Sequence, residues 1–424
     1  MINFSSSLDF AKQLDQQDSL VSYRERFVAN DPDLIYLDGN SLGRLPTSVI
    51  GRVKKAVEEE WGTELIRGWN KGWWESPRRI GDQIGSLLGA APGQIVVGDQ
   101  TSINLFKLAT AALTLQPQKK RIITDTFNFP SDLYILQGIN NLLGNRHEII
   151  RIGAQDNDIT PDLNALAEAL NEDTGLLTLS HVTFKSGYLY DMESITELAH
   201  RRGALVLWDL SHSAGAVPIE LDKYNADFAI GCTYKYLNGG PGAPAFLYVN
   251  KRIQNEVTSP IWGWWGQRDP FEFDLEYQPA PGIQRFLIGT APMLSTLAME
   301  EALTPLLEAG MDALRAKSVL MTDYASFLTD ELLAPLGFSL GSPRDSARRG
   351  SHISIRHEEG YRINRAMIEE MNVIPDFRAP NNIRLGFAPL YLSFTDIWEG
   401  FDRIRRVVEE NRYEKYPKQK LTVT

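Results

Sequence analysis

The chain has 424 residues, enough for a large hydrophobic core and for two or more domains. Its 43% hydrophobic and 23% charged residues are typical of an ordinary globular protein. Lys plus Arg number 43 against 54 Asp plus Glu, a net charge of -11 that argues against general affinity for nucleic acid or anionic membranes. The single cysteine, Cys232, excludes an intramolecular disulfide and a cysteine-based metal cluster.

The sequence has no pattern of a secretion signal, a membrane span or a metal site. Residues 1–20 alternate polar and apolar side chains, without a cationic start followed by an apolar block. No apolar run approaches the roughly 20 residues that cross a bilayer. The six His are scattered, without the spacing of ligands on one helix face. We therefore expect a cytoplasmic protein that binds no membrane, nucleic acid or metal.

From about residue 94 to 250, short runs rich in Val, Ile and Leu alternate with amphipathic helical patterns. This alternation predicts βαβ units, and hence an α/β fold with a mostly parallel seven-stranded sheet flanked by helices. The last strand follows its predecessor closely, so we expect one antiparallel pairing at the sheet edge. The predicted strands are 94–98, 121–125, 148–152, 175–181, 204–209, 227–232 and 245–249, and the predicted helices are 104–115, 132–143, 161–171 and 194–202.

Beyond about residue 305 the pattern changes to that of a smaller α+β domain. We expect the first 60 residues to pack against this domain or to cross to it. The predicted domains are a large one, 60–305, and a small one formed by 1–59 and 306–424. The predicted elements of the small domain are a helix at 311–332, a loop at 341–350, a strand at 352–356, a helix at 361–371 and a strand at 383–387.

Polar or aromatic residues follow two of the predicted strands at their carboxyl ends, where open α/β sheets bind ligands. Thr101 and Ser102 follow strand 94–98 at the start of a helix. Free N–H groups and hydroxyls there would bind a phosphate, and an ordinary helix cap is the alternative. Phe129 follows strand 121–125. Its ring would lie on an aromatic ligand, or else belong to the core.

The next strand ends carry an acid and a lysine. Asp209 ends an apolar strand, and a buried carboxylate there needs a cation or several donors. A protonated pyridine nitrogen could be that cation. Alternatively, the Asp209 side chain caps a helix. Lys235 follows strand 227–232. Desolvation and neighbouring cations would lower its pKa and make it a nucleophile, although most single lysines lie on the surface.

These four features in chain order supply a phosphate site, a ring stack, a partner for a pyridinium nitrogen and an amine for an aldehyde. Pyridoxal phosphate (PLP) requires this set of a protein. The sequence therefore predicts PLP as the cofactor, held as a Schiff base by Lys235. The segment Gly239-Gly240-Pro241-Gly242 lacks the Walker pattern and is a weak candidate for a nucleotide loop.

Several motifs resemble those of the kynureninase family, PLP enzymes of the aspartate-aminotransferase fold (fold type I). They occur in the family's order along essentially the whole chain. The GNSLG and YKYLN segments are specific, and FPSD and GWWG support them. The matching segments are 37–43 (LDGNSLG), 129–132 (FPSD), Asp209-x-x-His212, 234–238 (YKYLN), 263–266 (GWWG) and 384–391 (RLGFAPLY).

The resemblance implies cofactor roles for the matching residues. Lys235 would bond to the cofactor and move the substrate's α-proton, Phe129 would stack on the ring, and Asp209 would pair with the pyridinium nitrogen. The phosphate would be held by Thr101, Ser102 and Tyr234 and, from a neighbouring subunit, by Trp264 and Thr290. The residues around the cofactor would be Asp132, Ser180 and His212. The resemblance thus implies a homodimer with the active site at the subunit interface.

The activity implied is hydrolysis of L-kynurenine to anthranilate and L-alanine, in tryptophan degradation and NAD-related metabolism. It makes the chain a hydrolase of carbon–carbon bonds in ketonic substances. Arg384 would bind the substrate's α-carboxylate, because its planar fork matches that group. The substrate side would be lined by Asn40, Ser41 and Trp69. Tyr234 would either protonate the departing carbanion or only bind the phosphate.

At two positions that would face the substrate's ring, the chain differs from the animal members of the family. Animal members of the family have His in place of Trp69 and Asn in place of Thr290, and the family links that pair to 3-hydroxykynurenine. The resemblance therefore favours unsubstituted kynurenine for this chain, and leaves the hydroxylated substrate open.

Two other enzymes of the same fold are alternatives. A cysteine desulfurase-like lyase needs a thiol on a mobile loop, whereas Cys232 lies in a predicted buried strand. An aminotransferase would be separated by an assay with an α-keto acid. A PLP-fold regulator would bring a DNA-binding segment and a basic patch, and neither is present. The clustered Trp residues would form a protein-binding surface or, as we expect, a pocket and a subunit interface.

Overall fold

The computed structural model describes residues 3–419, so residues 1–2 and 420–424 of the predicted small domain lie outside the description. The described strands fall into one large and two small sheets. In chain order they are β1 Ile35–Tyr36, β2 Ile95–Val97, β3 Arg121–Asp125, β4 Glu148–Ile152, β5 Thr174–Ser180, β6 Leu205–Asp209, β7 Phe228–Gly231, β8 Phe246–Val249, β9 Ser339–Leu340, β10 His352–Arg356, β11 Val373–Ile374, β12 Asp376–Arg378 and β13 Asn382–Gly386.

Helices surround these sheets, and shorter 3-10 and π-helical turns connect several of them. No helix within residues 3–419 combines the length and the apolar character needed to span a bilayer. The α-helices are α1 Leu8–Gln16, α2 Thr47–Lys55, α3 Ser76–Leu87, α4 Thr101–Leu115, α5 Pro130–Leu142, α6 Leu163–Ala169, α7 Met192–Arg201, α8 Met293–Ala302, α9 Thr304–Ala309, α10 Met311–Leu328, α11 Gly360–Met371 and α12 Phe394–Glu409.

The large sheet has seven strands in the order β2-β8-β7-β6-β5-β3-β4. Pairings from β7 through β6, β5 and β3 to β4 are parallel, which confirms the predicted mostly parallel sheet. The predicted position of the antiparallel strand at the edge is wrong. β8 pairs antiparallel with β7 on one side and with β2 on the other, so it lies inside the sheet. The short β7–β8 connection dictates the antiparallel pairing, but β2, from much earlier in the chain, covers its outer edge.

Both faces of the large sheet are buried, since successive strand residues enter opposite cores. On β6, Val206 and Trp208 belong to one hydrophobic cluster, whereas Leu205 and Leu207 belong to the other. Residues of α4 and α5 contribute to the second cluster, and those of α3, α7 and α10 to the first. The first cluster continues into the C-terminal region, so the large sheet and that region share one core.

The C-terminal region is an antiparallel sheet, β12-β13-β10-β9, with α10, α11 and α12 packed in the same core. The predicted helices and strands of this region are present as α10, β10, α11 and β13, and a π-helical turn extends α10 to Leu333. The N-terminal segment crosses to it, as predicted. β1 pairs in parallel with β11, and the Asp15 carboxylate accepts hydrogen bonds from the N–H groups of Phe394 (2.6 Å) and Thr395 (3.0 Å) at the start of α12.

Candidate active site

A cavity of about 410 Å³ lies at the carboxyl ends of the central strands. It brings together ten of the residues that the sequence singled out, from both the large sheet and the C-terminal region. These are Ser41, Thr101, Ser102, Phe129, Asp132, Asp209, His212, Tyr234, Lys235 and Arg384. Further lining residues are Gln100, Ser131, Ser211, Cys232, Ala243, Ala245 and Arg378.

One end of the cavity is the start of α4. Gln100 is the N-cap residue, in extended conformation, and no side chain caps the first turn. Thr101 and Ser102 are therefore helical residues and not caps, and their hydroxyls line the cavity. Uncapped N–H groups of a first helical turn, together with two hydroxyls, can bind an anion such as a phosphate.

An aromatic face stands next to this end. Phe129 immediately precedes α5, which begins at Pro130, two residues before the predicted start at 132. The Phe129 side chain is 43% exposed, which argues against a core role, and its edge contact with Phe184 has a centroid separation of 5.3 Å. The ring is therefore supported from the side while one face remains available to a flat ligand.

Two buried acids line the middle of the cavity. The Asp209 carboxylate accepts hydrogen bonds from the Ser211 N–H (2.8 Å) and hydroxyl (2.6 Å), and the Ser180 hydroxyl lies 3.5 Å from its second oxygen. Asp209 precedes a turn and caps no α-helix, so the capping alternative does not hold. Burial and the Asp209 charge raise the pKa of Asp132 well above its usual range, although Lys235 lowers it. Asp132 therefore holds a proton to a higher pH than an exposed carboxyl does.

Lys235 lies in the turn after β7, and its Nζ is 2.9 Å from Nε2 of His212. Burial and the charge of Lys235 lower the pKa of His212 well below its usual value. His212 is therefore neutral, and its Nε2 can accept the hydrogen bond. The turn is held by the Asn238 N–H, which donates to the Lys235 carbonyl at 2.9 Å. Lys235 thus has a fixed place in the cavity and is not a free surface lysine.

The GNSLG segment packs directly against this turn. The Gly43 N–H donates to the Tyr234 carbonyl at 2.8 Å, and a Cβ at Gly43 would lie 2.4 Å from the Lys235 carbonyl oxygen. At Gly386, a Cβ would lie 1.9 Å from Oδ1 of Asn40. Glycine is required at both positions because backbone and side chain approach so closely. The N-terminal motif thereby joins the lysine turn to the strand that carries Arg384.

The part of the cavity that the C-terminal region forms is cationic. Nε of Arg384 donates to Asp376 at 2.7 Å, its Nη1 to the Phe184 carbonyl at 2.6 Å and its Nη2 to the Ser41 hydroxyl at 3.0 Å. Arg378 pairs with the same Asp376 carboxylate at 2.8 Å. Burial raises the pKa of Asp376, but the two guanidinium groups outweigh it and lower the pKa. One carboxylate between two arginines leaves a net positive charge, which suits a carboxylate ligand.

Arg378 and Asp376 were missed at the level of sequence. Their importance depends on how β12 folds back on β13, which places Asp376 opposite Arg384. The only signal in the sequence is the close spacing of two arginines in a segment with the family's RLG motif, which is weak. Asp38 was also missed as a titrating group: burial and the Asp376 charge raise its pKa to about 7.

Five predicted site residues do not line this cavity. Asn40 is fully buried, and Ser180 lies behind Asp209. Thr290 lines an adjoining cavity of about 420 Å³ that also touches Gln100 and Tyr234. Trp69 and Trp264 contact each other at a ring separation of 6.0 Å within an aromatic cluster. We call this the tryptophan cluster, and its members are Trp69, Trp73, Trp74, Trp264, Trp265 and Phe271.

Cys232 and Tyr234 flank the lysine turn. Cys232 is buried directly after β7, and burial raises the pKa of its thiol, against the opposing effect of Lys235. Such a thiol is a poor nucleophile. The neighbouring Cys232 and burial raise the pKa of Tyr234, so its hydroxyl stays protonated at neutral pH. Within residues 3–419, no three His, Cys, Asp or Glu side chains cluster as metal ligands would.

The donor set of the cavity fits PLP. The α4 start can hold the phosphate, Phe129 the ring face, Asp209 the ring nitrogen and Lys235 the aldehyde. The chain superimposes on the apo cysteine desulfurase of Thermococcus onnurineus NA1 with a TM-score of 0.78 and 19% identity, covering 92% of this chain and 98% of that one. A C-DES variant with glycine covalently linked to its PLP cofactor gives a TM-score of 0.76 at 19% identity, covering 90% and 98%. The fold of the chain is therefore fold type I of the PLP-dependent enzymes.

A sequence relative narrows this class to one family. Kynureninase of Pseudomonas fluorescens is 41% identical over 405 residues, which cover 94% of this chain and 95% of the relative. Residues 314–404 match the family model of the kynureninase C-terminal domain. The chain belongs to the kynureninase family, as the motif resemblance implied.

Proposed function

We propose that the protein is a PLP-dependent hydrolase that cleaves L-kynurenine to anthranilate and L-alanine, and so acts in tryptophan degradation and NAD-related metabolism. The observation that carries the proposal is the Lys235–His212 contact of 2.9 Å in a cavity that is also lined by the start of α4 and by two arginines. A bound amino acid can thus reach the lysine while its carboxylate contacts the arginines. Family membership supports the same reaction.

When bound, PLP supplies an electron sink for the carbon next to the substrate's amino group. Thr101 and Ser102 would hold its phosphate, and Phe129 would support its ring. Asp209 would keep the ring nitrogen protonated. The Nζ of Lys235, which lies 2.9 Å from Nε2 of His212, would take the α-proton.

The substrate's α-carboxylate binds in the cationic part of the cavity, to Arg384 with Arg378 and the Ser41 hydroxyl nearby. Tyr234 remains a proton donor at neutral pH because its pKa is raised. A protonated hydroxyl serves both roles considered for it, protonation of the leaving carbanion and a hydrogen bond to the phosphate.

The active form would be a cytoplasmic homodimer in which a second copy covers the tryptophan cluster and its surroundings. Trp262 is 61% exposed, Phe273 79% and Leu275 100%, and aromatic and aliphatic side chains of this size favour a covered position. Trp264 and Thr290 would then reach the partner's cofactor. The division into a large domain, 60–305, and a small domain, 1–59 with 306–424, is part of this proposal.

The direct test is a product assay. Purified protein with PLP and L-kynurenine should release anthranilate and L-alanine in equal amounts. Product that appears only when an α-keto acid is added would indicate an aminotransferase. Sulfide released from L-cysteine, without anthranilate from kynurenine, would indicate a desulfurase.

We expect a preference for unsubstituted kynurenine. The largely apolar side chain of Trp69 would give the 3-hydroxyl of the substrate ring little hydrogen bonding. We therefore expect kcat/KM for kynurenine to exceed that for 3-hydroxykynurenine by about tenfold, which corresponds to one hydrogen bond. The double substitution W69H and T290N should move the ratio towards the hydroxylated substrate. Steady-state kinetics with both substrates measures this, and a wild-type preference for 3-hydroxykynurenine would contradict it.

Substitution of Arg384 by glutamine should raise KM for kynurenine by about 10- to 100-fold, since a charge-assisted hydrogen bond contributes about 1.5–3 kcal/mol. It should also lower Tm, because the buried Asp376 loses its buried cationic partner and keeps only the partly exposed Arg378. The control is Arg344→Gln, which breaks an exposed pair with Asp330 and should change neither. An unchanged KM in folded R384Q would rule out Arg384 as the carboxylate ligand.

A further inference from the structure

Lys107 is a buried lysine that the proposed reaction does not use. It lies in α4, and its side chain is 1% exposed. Its Nζ donates to the Asp99 carboxylate and to the Phe286 carbonyl, both at 2.8 Å. Burial lowers the pKa of Lys107, and Asp99 opposes that effect. A buried ammonium requires such partners, so the position of Asp99 and that of Lys107 depend on each other.

Asp99 directly precedes Gln100, the N-cap of α4, and has an unusual backbone conformation. Its φ is 53°, in the left-handed region that residues other than glycine rarely adopt. Three contacts hold this turn. Lys107 binds the Asp99 side chain, the Ala245 N–H donates to the Asp99 carbonyl at 2.9 Å, and the Asn104 side chain donates to the Gly98 carbonyl at 2.9 Å. Lys107 and Asn104 both reach back from α4, so the helix fixes the turn from which it begins.

The second hydrogen bond of Lys107, to the Phe286 carbonyl, reaches a different segment of the chain. Phe286 ends a short helical turn that leads to Thr290. Thr290 and Asp99 line the same adjoining cavity, together with Gln100 and Tyr234. One ammonium group therefore ties the start of α4, proposed to bind the phosphate of this chain's own cofactor, to the segment that carries Thr290, proposed to reach the partner's cofactor.

We propose that the buried Lys107–Asp99 pair is a positioning device for phosphate recognition: it sets the turn before α4 so that the N–H groups and hydroxyls at Thr101 and Ser102 face the cofactor's phosphate. Lys107 touches neither cofactor nor substrate and acts through Asp99 and Phe286. The inference rests on the proposed function, since it takes the anion to be the phosphate of PLP.

The test compares PLP with pyridoxal, which lacks the phosphate. Both are titrated into the full-length protein freed of cofactor, and Kd is measured from the visible absorbance of the adduct with Lys235. In Lys107→Met the Kd for PLP should rise by about 10- to 100-fold, as expected for lost hydrogen bonds to a charged group, while the Kd for pyridoxal changes less than about threefold. If Lys107 only stabilised the fold, K107M would raise the Kd for PLP and the Kd for pyridoxal by the same factor.

Two further variants separate loss of the Lys107–Asp99 pair from misfolding of K107M. Lys107→Arg keeps the charge and should restore most of the preference for PLP, and Asp99→Asn should reproduce the loss if K107M does not fold. The matched control is Lys119→Met, whose Nζ donates to backbone carbonyls, including that of Thr174 at 3.2 Å, near the opposite end of the sheet. An unchanged PLP-to-pyridoxal ratio in folded K107M and D99N overturns this inference alone. A wild-type protein that binds no PLP overturns the proposed function as well.

Discussion

Replacing Lys235 with alanine should lower kcat/KM for L-kynurenine by about 10⁴-fold or more, because the side chain is both the nucleophile for the cofactor and the base for the α-proton. Among the described residues that line the cavity, Lys235 is the only lysine, so no second amine can replace it there. Release of anthranilate, followed by its fluorescence, measures the loss.

The covalent role has a separate readout. Borohydride reduction of the wild-type protein loaded with PLP, followed by peptide mass spectrometry, should place the cofactor on the peptide that contains Lys235. Lys223→Ala is the control, since that lysine is exposed and its one described contact is with the Tyr224 ring at 5.5 Å. If K235A kept more than about one hundredth of wild-type activity, general base catalysis by Lys235 would be refuted.

Asp209→Asn should lower kcat by about 10²- to 10³-fold, the range expected when one fixed electrostatic partner of a reacting group is removed. The amide keeps the shape of the side chain but cannot hold a proton on the ring nitrogen. The loss should appear in kcat more than in the Kd for PLP, because the phosphate site is unchanged.

The same substitution should also lower the pKa of Asp132. Burial and the Asp209 charge both raise the pKa of Asp132, and Lys235 lowers it. Without the Asp209 charge the pKa of Asp132 should fall, so the group should ionise at a lower pH in D209N. The pH profile of kcat and the cofactor spectrum measure this. Asp312→Asn, an exposed acid at the start of α10, is the control. Wild-type kcat in D209N would remove Asp209 from the mechanism.

Much of the large sheet could be predicted from the sequence. The bounds of β3 and β4 agree with the predicted strands at both ends, because each is an apolar run between turn residues, and those of β10 in the C-terminal sheet agree as well. The place of β8 could not be predicted, since it depends on pairing with β2, which lies about 150 residues earlier. The two-residue strands β1, β9 and β11 are too short to show an alternating pattern. The α12 helix was also missed, although Ser393 and Asp396 form a capping box at its start.

The sequence by itself determined the chemistry of the site. Thr101, Phe129 and Lys235 follow β2, β3 and β7, and Asp209 ends β6. These four strands run in the same direction in the large sheet, so their carboxyl ends meet at one edge and a joint cavity could be inferred.

Which charged groups lie next to one another was decided only by the tertiary structure. Arg384 faces Asp376 and Arg378 because β12 turns back on β13, and Lys107 reaches Asp99 and Phe286 through contacts distant in sequence. The tryptophan cluster likewise joins Trp69 to Trp264 across almost 200 residues. Hydrophobic period and strand-end position are local properties of a sequence, whereas the pairing of buried charges depends on which segments pack together.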